Sequence, residues 1–223
     1  MNITKSILTK NPCYKAGKTI KVKGLMLHSV GCPQPSATAF IKSWNTESAN
    51  VCVHGFIDAN TGEVYQTLPW DRRGWHCGST ANGTHIGIEM CEPDCIKYTS
   101  GANYTCSDKD KAREMVERTY KSAVDLFAYL CDKYGLNPLG DGVILSHSEG
   151  YKKGWASNHA DPEHLWKGLK MPYTMDGFRE DVMSAMNPTI YRVQVGAFYK
   201  EQNAKNLLVE LKQKGYEGFI TKS

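Results

Sequence analysis

With 223 residues, 41% of them apolar and 22% charged, the chain has the size and composition of one medium globular domain with room for a small appendage. It contains no run of about 18 apolar residues, which excludes an ordinary helical membrane span. The net charge of +4 is uneven, with six Lys/Arg and three Glu after position 188; the remainder lacks the dense basic stripe of a nucleic-acid binder.

The opening, MNITKSILTKNPCYKAGKT, has one short apolar patch and no small-residue cleavage pattern. No secretory signal is therefore expected, and synthesis in a cytoplasm is. KVKGLMLHSV (Lys21 to Val30) reads as a strand ending in a polar pair. PSATAFIKSWN follows as a helix, with Ser36 at its cap and Ala37, Phe40, Ile41 and Trp44 at helical spacing. VCVHGFID and EVYQTLP flank ANTG, a hairpin with Gly62 in the turn. THIGIEMC (Thr84 to Cys91) alternates as a further strand.

The longest predicted helix starts at a Ser107/Asp110 capping pair and carries Ala112, Met115, Val116, Ala123, Val124, Phe127, Leu130 and Cys131 on one stripe. Gly135 stops it, with Pro138 just beyond. GVILSHS (Gly142 to Ser148) reads as a buried strand delivering His147 to its end. A short helix from Met175 to Met186 closes this part before Asn187-Pro188. The tail starts again with the alternating YRVQVGAFY, continues as an amphipathic helix and ends on EGFITKS, a β-α-β unit in about 35 residues, too small to stand alone. The expected division is 1–187 and 188–223.

The eight cysteines are irregularly spaced in a chain long enough to need no staples, so they read as free and mostly buried thiols. A zinc knot from Cys77, Cys91, Cys95 and Cys106 is the alternative, without the usual CxxC spacing. Candidate ligands of another kind gather elsewhere. His28 ends the first strand, His147 ends the buried one, and Asp161 follows in an irregular loop. Two imidazoles and one carboxylate would leave a fourth zinc position open, the catalytic arrangement. Histidines that only brace the scaffold remain the competing reading, and no HExxH motif is present.

From about Gly24 to Trp166 the chain resembles the zinc-dependent N-acetylmuramoyl-L-alanine amidases of type 2, the family that includes peptidoglycan-recognition proteins. LMLHSV, the VHGFID…NTGEVYQTLP hairpin, GWHCG, HIGIEMCE and LSHSEG…ASNHADPEHLW carry the match, in the family's order. The resemblance implies an α/β fold, a mixed central β-sheet flanked by helices, with one Zn2+ held by His28, His147 and Asp161. It implies hydrolysis of the amide between N-acetylmuramic acid and L-alanine in bacterial peptidoglycan. Glu89 falls where the family places the carboxylate that handles the water's proton. His159 stands where a lysine commonly stabilises the oxyanion, and a histidine does that work only when protonated or donating one N–H. DPE replaces the usual DPG, and the loop from His147 to Asp161 is longer than in short members.

Trp75, with His76, and Asn158 are expected along the substrate groove, with packing as the alternative for Trp75. His54 is expected beside the site, as support or as a substrate-lining residue; His85 is structural. The tail, through VQVGAF, Ala204, Leu207 and the glycine before the closing strand, resembles the first half of a SPOR-type peptidoglycan-binding module, which implies wall binding or homodimer formation through residues 189–223. A non-catalytic wall-recognition module is the other class of reading, and a thiol enzyme using Cys77 beside His76 a third. The combination suggests a phage or prophage endolysin, or else a host autolysin or sporulation enzyme, acting on the wall after release, with neither nucleic acid nor membrane insertion as a partner.

Overall fold

The computed structural model describes residues 2–188 and 193–222, in two compact units, Met1–Pro188 and Thr189–Ser223. In the first unit a six-stranded sheet has the order β1-β4-β3-β5-β2-β8, formed by β1 (Ile3–Lys5), β2 (Gly24–Ser29), β3 (Gly55–Ile57), β4 (Val64–Gln66), β5 (His85–Met90) and β8 (Ile144–Ser146). Only the β3–β4 hairpin is antiparallel. Gly62, in its turn, has φ 76°, a conformation that glycine adopts without a Cβ penalty. The mixed sheet flanked by helices is the architecture expected from the sequence.

Alternation along β2 and β5 sorts the two faces. Leu25, Leu27, Ile86 and Ile88 point to the main core, against α3 (Lys109–Tyr134) and α6 (Met175–Met186). From α3 come Val116, Tyr120, Ala123, Phe127 and Leu130; from α6, Phe178 and Val182. Phe127 and Phe178 meet edge to face, with centroids 5.1 Å apart. The stripe read on α3 is thus buried as predicted. Its cap differs: the Asp108 carboxylate accepts from Lys111 N–H at 3.0 Å, because the extended backbone falls at Asp108 rather than at Ser107. Gly135, at φ 63°, ends the helix.

Elsewhere α2 (Ala37–Trp44) stacks Phe40 on Phe56 of β3 at 5.2 Å. Met26, between Leu25 and Leu27, turns to a small cluster with Cys77, Ala81, Leu145 and Ala156. Several elements carry no strong sequence signal: β1, α1 (Pro12–Lys15), the separate hairpin of β6 (Ile96–Ser100) and β7 (Asn103–Cys106), and the short helices α4 (His147–Lys152) and α5 (Glu163–Gly168).

The predicted strand Gly142–Ser148 is a correction. Only Ile144–Ser146 pair with β2, and His147 is the first residue of α4. Ser146 caps that helix in a reciprocal box with Glu149, whose carboxylate also takes a two-pronged bond from Arg179 of α6 at 2.9 and 3.0 Å. The capping chemistry wins over the apolar run and turns the chain just where His147 must be aimed.

In the second unit, α7 (Glu201–Gln213) forms as the sequence predicts. Its two expected flanking strands do not. Residues 191 and 192 of the first lie outside the described residues, and Val193–Phe198 and Glu217–Lys222 have no ladder partner among the described residues. A strand exists only when its N–H and C=O groups find another strand, and the described residues of this unit supply none. Val193, Val195 and Phe219 stay exposed.

Candidate metal centre

The strand register assembles the centre. β2 lies between β5 and β8, all parallel, with His28 opposite Glu89 and Leu27 opposite Ser146. His28, Glu89 and His147 therefore stand at one level at the carboxyl ends of three neighbouring strands, spaced by the roughly 4.8 Å of a sheet. Asp161 arrives from the loop before α5, where its Oδ2 accepts from Ser29 N–H at 3.3 Å. Among the described residues, the group of metal-ligating side chains that converges is His28, His147 and Asp161, all buried, with ligand atoms within 4.8 Å of one another. Cys77, Cys91, Cys95 and Cys106 are not gathered, so the zinc knot is excluded; all eight cysteines are free thiols.

The donor set fits a tetrahedral ion. His28 Nδ1 is 3.0 Å from His147 Nδ1 and 3.3 Å from Asp161 Oδ2, and His147 Nδ1 is 3.6 Å from Asp161 Oδ1. A tetrahedral zinc site with bonds near 2.05 Å has ligand–ligand edges of about 3.3 Å. The far side of each imidazole is occupied. His147 Nε2 meets Ser157 Oγ at 3.1 Å. His28 Nε2 meets His76 Nδ1 at 3.0 Å, and His76 Nε2 meets the His85 carbonyl at 3.1 Å. A carbonyl only accepts, so His76 carries its proton on Nε2 and offers Nδ1 as an acceptor. His28 must then donate through Nε2, which leaves Nδ1 for the metal.

Electrostatics point the same way. Burial alone would lower the His28 pKa, but the hydrogen bond to Asp161 and the charges of Glu89 and Asp161 raise it. A proton and a metal ion would compete for Nδ1, so binding of a cation here depends on pH. Burial and the neighbouring His28 push His147 down to about 4. Burial raises Asp161, yet its contacts with His28 outweigh this and keep it below its ordinary value. Burial pushes Glu89 up to about 8, and its Oε2 is buried without a partner. One carboxyl is held ionised and the next is held ready for a proton, a separation of roles that acid–base chemistry requires.

The other sequence candidates divide. His159 is exposed, its ring 4.4 Å from that of His147. Asn158 is exposed beside it. His54 is a correction as a substrate-lining residue: it is wholly buried, its Nε2 donates to the Arg72 carbonyl at 2.8 Å and its Nδ1 accepts from Gly87 N–H at 3.0 Å. Burial lowers its pKa to about 4, as suits a neutral scaffold group. Trp75 packs against the cluster of Leu8, Cys13, Cys52 and Leu68, the packing alternative. His76, read with Trp75 as groove-lining, instead orients a ligand. Glu92 was missed altogether; fully buried, it accepts from Gly31 N–H at 3.0 Å and Tyr98 O–H at 2.7 Å. Nothing in its spacing marks it.

The sequence profile described as N-acetylmuramoyl-L-alanine amidase matches residues 18–164, about two thirds of the chain. The chain belongs to that family. A second profile, the SPOR domain, matches residues 187–223. The amidase-family chain is similar to the N-acetylmuramoyl-L-alanine amidase CwlH of Bacillus subtilis, 40% identical over 72 residues, covering 29% of this chain and 27% of that protein. It is similar to Protein Ami of Listeria monocytogenes, 23% identical over 147 residues, covering 64% of this chain and 14% of that one. The chain thus spans about a quarter or less of these relatives' length.

Among solved structures, Staphylococcus aureus hydrolase AmiA in complex with its ligand superposes with a TM-score of 0.63 at 20% identity, covering 83% of each chain. PlyL superposes at 0.58 with 18% identity, covering 85% of this chain and 100% of that one. At these identities the likeness establishes the fold.

Two consequences can be measured. Gly87 lets His76 lie against β5, since a Cβ there would come 2.5 Å from the His76 ring. His76→Ala and Gly87→Ala are each expected to weaken metal binding by about 10- to 100-fold, read by competition with a chromophoric chelator, whereas unchanged affinity in both would free His28 from this support. The second concerns Glu89. Its folded pKa lies above its unfolded value of about 4.5, so its contribution to stability is complete below pH ~4.5 and is lost as pH rises through about 8. In metal-free protein, Glu89→Gln should unfold at higher urea than wild type, by a margin that grows from pH ~4.5 and levels off above pH ~8 at a few kcal/mol. A margin independent of pH would contradict the assignment.

Proposed function

We propose that this chain is a zinc-dependent hydrolase of the amide joining N-acetylmuramic acid to L-alanine in bacterial peptidoglycan, in a wall-lysing role of the endolysin kind. The observation that carries the reading is the buried His28–His147–Asp161 cluster with the unpartnered Glu89 carboxyl beside it. Membership of the amidase family supports the substrate, and the SPOR-type tail supports a wall partner. Among the described residues no helix is long and apolar enough to cross a membrane.

The division of labour follows from the chain's own groups. His28, His147 and Asp161 would hold the ion. A zinc ion there would act as a Lewis acid on the carbonyl and make a water nucleophilic near neutral pH. Glu89, in its ionised form, takes a proton as that water attacks the amide carbon. Its position on β5 opposite His28 puts the carboxyl on the face away from Ile88 and Met90. As the carbonyl oxygen gains charge, the exposed His159 donates a hydrogen bond to it. Glu89 then returns its proton to the leaving L-alanine nitrogen, completing general base and general acid roles in one group. Asn158, next to His159, contacts the substrate from the loop.

Purified sacculi digested with the zinc-loaded chain should release free amino termini on L-alanine, identified by mass spectrometry, with activity lost to EDTA and restored by zinc. Glu89→Gln should keep metal affinity while turnover falls by about 100-fold or more, in line with removal of a general base. Release of reducing sugar ends with no free L-alanine would refute the reaction assigned here.

We further infer that the tail unit associates with a second copy, each lending an extended segment to the other. The exposed Val193, Val195 and Phe219 beside α7 support this, since a ladder would cover them. Light scattering at micromolar concentration should give twice the 24.9 kDa chain mass. A monomer at that concentration would remove the inference.

A further inference from the structure

Away from the metal centre, two thiols meet at the amino-terminal edge of the sheet. Cys13 lies in α1, and Cys52 in the segment leading to β3. Both are buried, and they share one small apolar cluster with Leu8 and Leu68. Asn11 joins their backbones. Its side-chain oxygen accepts from Cys13 N–H at 2.9 Å, and its amide donates to the Val51 carbonyl at 2.9 Å. Cys52 is pinned again by a pair of backbone bonds with Trp75, at 3.1 and 2.9 Å.

Within this frame the two thiols are neighbours in one four-residue cluster, and Cys13 Sγ reaches the Arg73 carbonyl at 3.1 Å. The contact with Cys52 lowers the Cys13 pKa; burial opposes this and the Arg73 charge assists. Cys13 retains slight exposure at 3% whereas Cys52 has none, so Cys13 is the thiol that a small oxidant reaches first and Cys52 the one that follows it. Other buried thiols are placed differently. Cys77, for example, points at the Asn82 side chain at 3.3 Å.

We propose that Cys13 and Cys52 are a dithiol that closes to a disulfide outside a reducing compartment, tying α1 to the segment leading into β3, which is itself bridged to Trp75. The oxidant is a small-molecule disulfide. Cys13 thiolate attacks one of its sulfurs, and the other sulfur leaves as a thiolate with the bond's electron pair. Cys52, its proton passing to solvent, then attacks the Cys13 sulfur of the mixed disulfide and expels the second thiolate. One disulfide forms, one is cleaved to two thiols, and no further electron carrier is needed.

The pairing itself is independent of the function proposed above. Only its place in the cell rests on that reading, because wall polymer lies outside the cytoplasm, where thiol-reducing systems do not reach. The crosslink would close a loop of about 40 residues, which in a domain of this size corresponds to a rise in Tm of about 5–10 °C.

The test uses the full-length, zinc-loaded chain treated with oxidised glutathione, then blocked with N-ethylmaleimide in denaturant and digested without reductant. A peptide linking Cys13 to Cys52, together with a Tm rise of about 5–10 °C that dithiothreitol reverses, is the expected result. Both cysteines recovered as maleimide adducts, either one recovered as a stable glutathione adduct, or a Cys95–Cys106 link in their place would overturn the proposal. Cys13→Ala/Cys52→Ala should lose the redox-dependent shift in Tm, and persistence of the shift would also overturn it. If that double variant does not fold, the peptide map of the wild-type chain still decides.

Discussion

Three electron-rich atoms, two imidazole nitrogens and a carboxylate oxygen, are forced together out of water where β2, the start of α4 and the loop before α5 meet. Left to themselves, such groups repel or favour protonation, and the pKa of His28 is raised accordingly. The arrangement persists because each ligand is held from behind. His76 fixes the tautomer of His28, Ser157 meets His147, and Ser29 N–H meets Asp161. A cation removes the conflict, so affinity and pH are linked in this site by construction.

The same sheet end separates two carboxyls of opposite habit. Asp161, in contact with His28, is kept ionised, whereas Glu89, one strand away, is deprived of partners and raised. A row of five imidazoles, His54, His76, His28, His147 and His159, runs through the site with neighbouring centroids 4.4 to 5.8 Å apart. Its inner end is committed to backbone groups and its outer end is exposed. The row is thus rigid at one end and accessible at the other.

Around this centre the rest of the first unit acts as a mount. α3 and α6 bury the opposite side of the sheet, so the strands that carry the ligands cannot shift without opening the main core. Arg179 reaches from α6 to Glu149 and to the Ile144 carbonyl, tying the core helix to the start of α4, where His147 sits. The Cys13–Cys52 contact extends this bracing to the amino-terminal segment, behind the residues that hold His76.

The amino-acid sequence by itself determined the amphipathic α3, α6 and α7, the β3–β4 hairpin at its Gly62 turn, and the apolar strands β2 and β5. Each is written in local periodicity or turn chemistry, which depends on neighbours a few residues away. Motif order also named the family. Only the tertiary structure decided that His147 opens a helix, that His54 is sealed in the scaffold and that His76 serves His28. Among the described residues it also left the tail's extended segments without a ladder. These outcomes depend on contacts between distant positions: His28 and His147 are 119 residues apart and His28 and Asp161 are 133 apart. Strand register sets His28 beside the start of α4 and the loop before α5 adds Asp161; register is a property of the whole sheet, to which no local stretch of sequence has access.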